Sequence, residues 1–258
     1  MWFQVFSYFK FLIKSTNQHG IHSPFIYDLV TKCFYKNADK TTRNSIKNVI
    51  QFLKSNPNTI DVIDYGSGSK VFKNNRRKIG LIAVVAGSSL KKAIFLAKLV
   101  NYLKPKSILE IGTSVGIGTS ALSFGYPKSK ITTIEGCSNT AKIAQETFNH
   151  FGLTSIELKI GQFEQVLPEI LENQTFNCIF FDGNHKKNPT LNYFELCLKN
   201  AETTSVFIFD DIYYSKEMYE AWNIIKKNPN VSVTINTYYF GIVFFKKEQT
   251  KQHFTVRI

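Results

Sequence analysis

Two groups of residues in this 258-residue chain could do chemistry. The first is the glycine-rich run Ile108-Leu-Glu-Ile-Gly-Thr-Ser-Val-Gly-Ile-Gly118, in which an apolar stretch feeds Gly112, Gly116 and Gly118. Glycines let a backbone approach a ligand closely, and the helix after such a turn presents N–H groups that an anion or a polar ligand can accept. The second group is acidic: Asp182-Gly-Asn-His185 and Asp210-Asp211, each following an unbroken apolar run. Three carboxylates gathered at one place repel one another unless protonated or bridged by a cation, and hard divalent ions such as Mg²⁺ suit oxygen donors.

A rival turn lies upstream, Val62-Ile-Asp-Tyr-Gly-Ser-Gly68. An adenosyl ligand also needs an acid at the end of the next strand, to hold both ribose hydroxyls. Only the downstream turn has one, Glu135 after Ile131-Thr-Thr-Ile. The upstream turn is followed by Lys70, Lys73, Arg76, Arg77 and Lys78, with no acid before Glu110. The cofactor is therefore expected on Glu110, Gly112, Thr113, Ser114, Gly116, Gly118 and Glu135. The spacing is GxxxGxG rather than the GxGxxG of dinucleotide sites, which argues against a nicotinamide oxidoreductase.

The elements that must position these groups follow from hydrophobic period. Residues 1–80 read as helices broken by turns: an amphipathic N-terminal helix with Trp2, Val5, Phe6, Phe9, Leu12 and Ile13 at helical spacing, a second started by Ser23-Pro24, and a third from about Thr41. The apolar face of the first is expected to pack on the body of the protein, with contact to a membrane surface or a second copy as alternatives. From about residue 80, helices alternate with strands at Ser107–Ile111, Ile131–Glu135, Ile156–Ile160, Phe176–Phe181 and Val206–Phe209. Ser138 is read as the cap of the helix after Glu135. Val231–Ile235 and Tyr239–Phe245 lie too close together for a crossover helix, so they should pair antiparallel. The fold class is thus α/β: a Rossmann-like, doubly wound, mostly parallel seven-stranded sheet with an antiparallel C-terminal strand and an N-terminal helical extension. The expected boundaries are 1–80 for the extension or lid and 81–258 for the sheet domain.

At 43 % hydrophobic and 20 % charged, the chain can bury a sizeable core and is not a disordered one. The formal charge of +13 favours anionic partners, or else is a lysine-rich solvated surface. Cys33, Cys137, Cys178 and Cys197 form no CxxC pair and read as buried thiols of a reducing, cytoplasmic protein. No apolar stretch approaches the ~20 residues of a membrane span. His19 and His22 form an isolated HxxH, weak as a metal signal. Arg76 and Arg77 line a substrate entrance or face solvent, and Tyr213 and Tyr214 wall a pocket or pack.

The turn Glu110-Ile-Gly-Thr-Ser-Val-Gly116 resembles the first motif of class I S-adenosylmethionine-dependent methyltransferases, specifically the O-methyltransferases related to catechol O-methyltransferase. Glu135 matches that family's ribose-binding acid, Gly161-Gln162 sits where it contacts adenine, and the terminal hairpin matches its reversed last strand. The resemblance covers about residues 85–246; outside it, His19-Gly-Ile-His-Ser-Pro-Phe25 looks like the opening of bacterial relatives. It implies S-adenosyl-L-methionine as cofactor and a small-molecule hydroxyl, anionic or neutral, as acceptor. The Asp-Gly-x-His form is similar to metal-dependent sugar O-methyltransferases, and by that resemblance Asp182, Asp210 and Asp211 would hold Mg²⁺, Asp182 also facing the cofactor. Asp182 or His185 would accept the proton, His185 standing about where the catechol enzymes carry a lysine. The bland readings are a metal-free polar pocket, Asp211 as the cap of a helix near Ser215, and His185 as a polar loop residue. A nucleic-acid methyltransferase fits the charge, but base methylation usually uses an Asn/Asp-Pro-Pro-aromatic loop where this chain has Asp182-Gly-Asn-His. A non-catalytic cofactor-binding module is the third alternative.

Overall fold

Capping and apolar period set the helices in the first third of the chain. The structure, a computed structural model, describes residues 2–66, 68, 72 and 74–258; Lys70 and Lys73 lie outside the described residues. In chain order the first elements are α1 (Trp2–Lys14), α2 (Pro24–Leu29), α3 (Lys40–Lys54), β1 (Thr59–Asp61), β2 (Arg76–Lys78), α4 (Ile79–Val85) and α5 (Leu90–Leu103). Then come β3 (Ser107–Ile111), α6 (Ile117–Gly125), β4 (Lys130–Glu135), α7 (Ser138–His150), β5 (Ile156–Ile160) and α8 (Phe163–Asn173). The chain closes with β6 (Cys178–Phe181), α9 (Lys187–Leu198), β7 (Val206–Asp210), α10 (Lys216–Lys227), β8 (Val233–Asn236), β9 (Phe240–Phe244) and β10 (Gln252–Thr255). The Ser23 hydroxyl accepts from Ile26 N at the start of α2, Asp39 from Thr42 N at α3, and Ser89 from Lys92 N at α5. Cys137, not Ser138, is the N-cap of α7: it keeps extended backbone while Ser138 is already helical, and its N–H is held by the Glu135 carboxylate.

Among the described residues the main sheet has eight strands in the order β10-β8-β9-β7-β6-β3-β4-β5. Parallel pairs are β3–β4, β4–β5, β6–β7 and β10–β8, while β9 runs antiparallel to both β7 and β8. The mostly parallel fold and the reversed hairpin are as expected, but there is one strand more than seven. Gln252-His-Phe-Thr255 adds at the edge beside β8; only half-covered there, it needs no apolar run and leaves no hydrophobic signal. No single helix among the described residues is long and apolar enough to cross a membrane.

The chain divides into two compact units, Lys36–Val166 and the combination of Met1–Tyr35 with Leu167–Ile258, so residues 1–80 are shared between them. In the central unit, Ile46, Val49, Ile50 and Leu53 of α3 pack with Ile79, Ile82 and Ala83 of α4, Ala93 and Ala97 of α5, and Ile117 and Ala121 of α6. In the other unit the core is aromatic: Phe181 stacks on Phe209 at 4.3 Å, Phe207 meets Phe245 edge-on at 4.7 Å, and Trp222 is fully buried. There α1 is held from both ends. Tyr238 Oη donates to Gln4 O at 2.8 Å, its ring meets Tyr8 and Phe11, and Thr16 bridges Val256 just beyond β10.

That arrangement corrects the expected packing of α1. The face turned to the protein is Phe3, Gln4, Ser7 and Phe11; Trp2, Val5, Phe6, Phe9 and Ile13 are exposed. The helix carries apolar residues on two opposite sides, and period alone does not say which is inside. Tyr213, Tyr219 and Tyr238, themselves stacked, select the side with Phe3, Tyr8 and Phe11.

Candidate functional site

In the central unit, the carboxyl ends of β3, β4 and β5 build a cradle. The chain leaves β3 through three residues at positive φ, Gly112 (109°), Ser114 (51°) and Gly116 (87°), before α6 begins. Gly112 N and Thr113 N both donate to Ile134 O, tying the turn to β4. Gly116 is doubly required, since a Cβ there would stand 2.7 Å from the Phe148 ring. Gly118 is buried in the first turn of α6.

Glu135 closes the cradle. Its Oε2 accepts from Ser114 N at 2.8 Å and its Oε1 from Cys137 N at 2.9 Å, so the carboxylate is fixed beside the turn rather than swinging free. Burial pushes its pKa up, and the backbone N–H donors act against that rise. An ionised carboxylate offers about four lone-pair sites, so capacity for two ribose hydroxyls remains. Gly161 N donates to Glu135 O at 3.0 Å, which brings Gly161 and the exposed Gln162 to the same end.

Glu110 is placed differently from its neighbours. It has no exposed surface, and its Oε2 accepts from Thr119 on α6 and from Thr133 on β4, the latter at 2.6 Å. Thr133 in turn is 2.6 Å from the Thr113 hydroxyl. Burial lifts Glu110 to about 7, the two threonine hydroxyls working against that and Glu135 adding to it. Glu110 therefore braces the turn from beneath; it has no surface to offer a ligand.

The rival segment is not a strand of the main sheet. Thr59–Asp61 pairs antiparallel with Arg76–Lys78 in a small separate sheet, and the chain from Val62 to Gly66 is irregular. Even so it borders the cradle: Ile63 N donates to the Cys137 thiol, Asn139 Nδ2 to Asp61 O, and a Cβ on Gly136 would meet the Tyr65 ring at 2.9 Å. The half-exposed Tyr65 thus stands beside Glu135, although no glycine spacing or acid in its own segment marks it. Arg77 does not face solvent. It is buried, pairs with Asp64 at 3.3 Å and stacks on Phe72 at 4.7 Å. Arg76 is exposed.

In the other unit, the register Phe181↔Phe209 brings Asp182 and Asp210 to the same level at the ends of β6 and β7. Asp210 is buried, whereas Asp182 and His185 are partly exposed, with Asp182 Oδ1 3.8 Å from His185 Nε2. Asn184 and Asp211 are both left-handed, at φ 59° and 49°, so the chain turns sharply after each strand. Asp211 does not cap α10. Ser215 does, through Met218 N, while Asp211 O accepts from Tyr214 N. The Tyr214 ring lies 5.4 Å from His185, and Tyr214 O accepts from Gln4 of α1. Tyr213 is packed between Tyr219 and Tyr238, with its phenol pushed up to about 12 by burial. Among the described residues, no group of three His, Cys, Asp or Glu side chains gathers as a metal set. His19 and His22 sit by a short 3₁₀ turn, where His19 lies beside Gln18.

A parallel sheet with a glycine turn after one strand and a hydrogen-bonded acid after the next defines the class I methyltransferase architecture. Residues 76–254 match the family model described as O-methyltransferase, which is more than half of the chain, and the chain belongs to that family. It is 28 % identical over 143 residues to a catechol O-methyltransferase of Niastella koreensis, an alignment spanning 54 % of this chain and 63 % of the relative. It is 25 % identical over 126 residues to a catechol O-methyltransferase of Mycobacterium tuberculosis, covering 48 % and 56 %. The match thus spans somewhat over half the length of these relatives. Among solved structures, an S-adenosylhomocysteine-bound methyltransferase of Podospora anserina superposes with a TM-score of 0.63 at 14 % identity, covering 88 % of this chain and 97 % of its own. An O-methyltransferase of Bacillus cereus, also solved with S-adenosylhomocysteine, gives 0.56 at 20 % identity, with 80 % and 92 % covered. The β1–β2 segment that carries Tyr65 lies mostly before the family match.

Proposed function

We propose that this chain transfers a methyl group from S-adenosyl-L-methionine to a hydroxyl oxygen of a small molecule. The observation that carries this reading is the Glu135 carboxylate locked onto Ser114 N at the end of β4. It supplies a ribose acceptor already oriented against the turn that would cradle the methionine part. Gly112, Thr113, Ser114, Gly116 and Gly118 would line that part, Gly161 and Gln162 the adenine side, and Glu110 would hold the turn in shape. The names of the two sequence relatives make catechols the first acceptors to assay, and the charge of +13 favours an anionic one.

The reaction is an in-line displacement: the acceptor oxygen forms a bond to the methyl carbon as the carbon–sulfur bond breaks, and S-adenosylhomocysteine leaves as a neutral thioether. The hydroxyl proton must go to a base, and Asp182 with its neighbour His185 is the pair suited to take it. Asp182, Asp210 and Asp211 are hard oxygen donors at adjacent strand ends; with Mg²⁺ bound there, the ion would lower the pKa of the acceptor hydroxyl. Their side chains would have to rotate together to bind it, since as they stand no three-ligand set is formed. The buried, disulfide-free cysteines support a reducing cytoplasmic setting.

Calorimetric titration with S-adenosylhomocysteine tests the cofactor; no binding overturns the proposal. Asp210→Ala is expected to remove catechol methylation and any Mg²⁺ dependence while leaving cofactor affinity within about threefold. Full activity in that variant would remove the carboxylates from the chemistry.

A further inference from the structure

The five apolar side chains on the outer side of α1 have no role in the fold described above. Trp2 is 85 % exposed, Val5 46 %, Phe6 61 %, Phe9 60 % and Ile13 85 %. At 3.6 residues per turn they fall within an arc of about 100°, opposite the Phe3, Ser7 and Phe11 face that packs inward. We infer that α1 is a membrane-surface anchor, lying flat on an anionic lipid bilayer with Trp2, Phe6, Phe9 and Ile13 entering the acyl boundary.

Charge selects this occupant. No acid occurs before Asp28. Lys10 lies along the edge of the apolar stripe, its Nζ 4.4 Å from the Phe6 ring centre, and the exposed Lys14 follows one turn later, farther round the helix. Lys14 is close enough to Lys226, at the end of α10, for its charge to press on that ammonium together with Lys227, and Lys226 and Lys251 act likewise on His253. Lys10 thus rims the stripe, and Lys14, Lys226 and Lys227 form a basic group near the C-terminal end of the helix. An apolar stripe rimmed by lysines, with a tryptophan at one end, is the pattern that binds anionic lipid headgroups. A second copy of this chain fits less well. A 13-residue helix is ~20 Å long and ~10 Å wide, so its face covers about 200 Å², against the ~800 Å² per partner of a stable interface. A two-fold pairing would also set like charges against each other.

Co-sedimentation of the full chain with phosphatidylcholine vesicles, with and without phosphatidylglycerol, tests the assignment. Binding is expected only with phosphatidylglycerol, weakened by salt, with a blue shift of Trp2 emission. The other tryptophan, Trp222, is already buried and should not respond. Phe6→Ser with Phe9→Ser should cost at least about tenfold in partitioning, and Lys10→Glu with Lys14→Glu a comparable loss. All four changes fall at exposed positions of α1, and unchanged far-UV melts establish that the fold persists. Absence of binding to the anionic vesicles overturns the inference, as does binding indifferent to lipid charge. Self-association in sedimentation velocity that the Phe6/Phe9 variant abolishes assigns the face to a second copy instead, and equally overturns it.

Discussion

Glu110 and Glu135 lie on adjacent strands, the first fully buried and the second partly exposed, and they face opposite demands. Glu135 is held by backbone N–H groups that favour its ionised form, whereas Glu110 has two hydroxyl donors on one oxygen and none on the other. Burial shifts its ionisation from the ordinary 4.5 to about 7, against the pull of those two hydroxyls. Between those values the folded protein keeps a proton that the unfolded chain has released, so this residue's contribution to stability is full below about pH 4.5 and is lost as pH rises through 7. The melting temperature of the wild type is expected to fall from pH 5 to pH 8, and Glu110→Gln should flatten that slope. Scanning calorimetry at both pH values checks it, and an unchanged slope in the variant would assign the pH dependence elsewhere.

The element that depends most on a single residue is the β3–α6 turn. Gly116→Ala forces a side chain into left-handed backbone and against Phe148, so a loss of about 1–2 kcal/mol is expected, together with weaker S-adenosylhomocysteine binding. Chemical denaturation and calorimetry measure the two effects; a variant as stable and as tight as wild type would mean the turn relaxes freely. This turn was legible in the sequence because glycine spacing, apolar strands and Glu135 are all local signals. The level pairing of Asp182 with Asp210 was legible too, since parallel strands bring their carboxyl ends together. Other features were hidden for physical reasons. Pro168 sits inside α8 and reads as a breaker, and Gln252–Thr255 is a polar edge. The inner face of α1 depends on Tyr213 and Tyr238, more than 200 residues away in the chain. Tyr65 reaches the cradle only because the β1–β2 sheet folds back on α7. Side-chain gathering is a rotamer property, so no spacing rule could say whether the three acids converge.

At the scale of the whole molecule, a ligand that binds only the folded state stabilises all of it. S-adenosylhomocysteine at about a hundred times its Kd should add about 2.7 kcal/mol, a rise in melting temperature of roughly 5–10 °C for a chain of this size. Differential scanning fluorimetry reads this directly. Glu135→Ala should abolish the shift and Asp210→Ala should keep it; the reverse pattern would place the cofactor on the carboxylates of the other unit.

The unit that contains α1 is discontinuous, its first 35 residues completed only from Leu167 onward. On the ribosome, therefore, this segment emerges before the central unit and finds its partners only after it. The tyrosines that receive α1 and the Val256 bridge to Thr16 are made after the whole central unit. Through that interval both apolar sides of the helix are uncovered, and its fate is decided by time rather than by affinity: slow synthesis lengthens the exposure, and a chain cut short before Tyr213 never ends it.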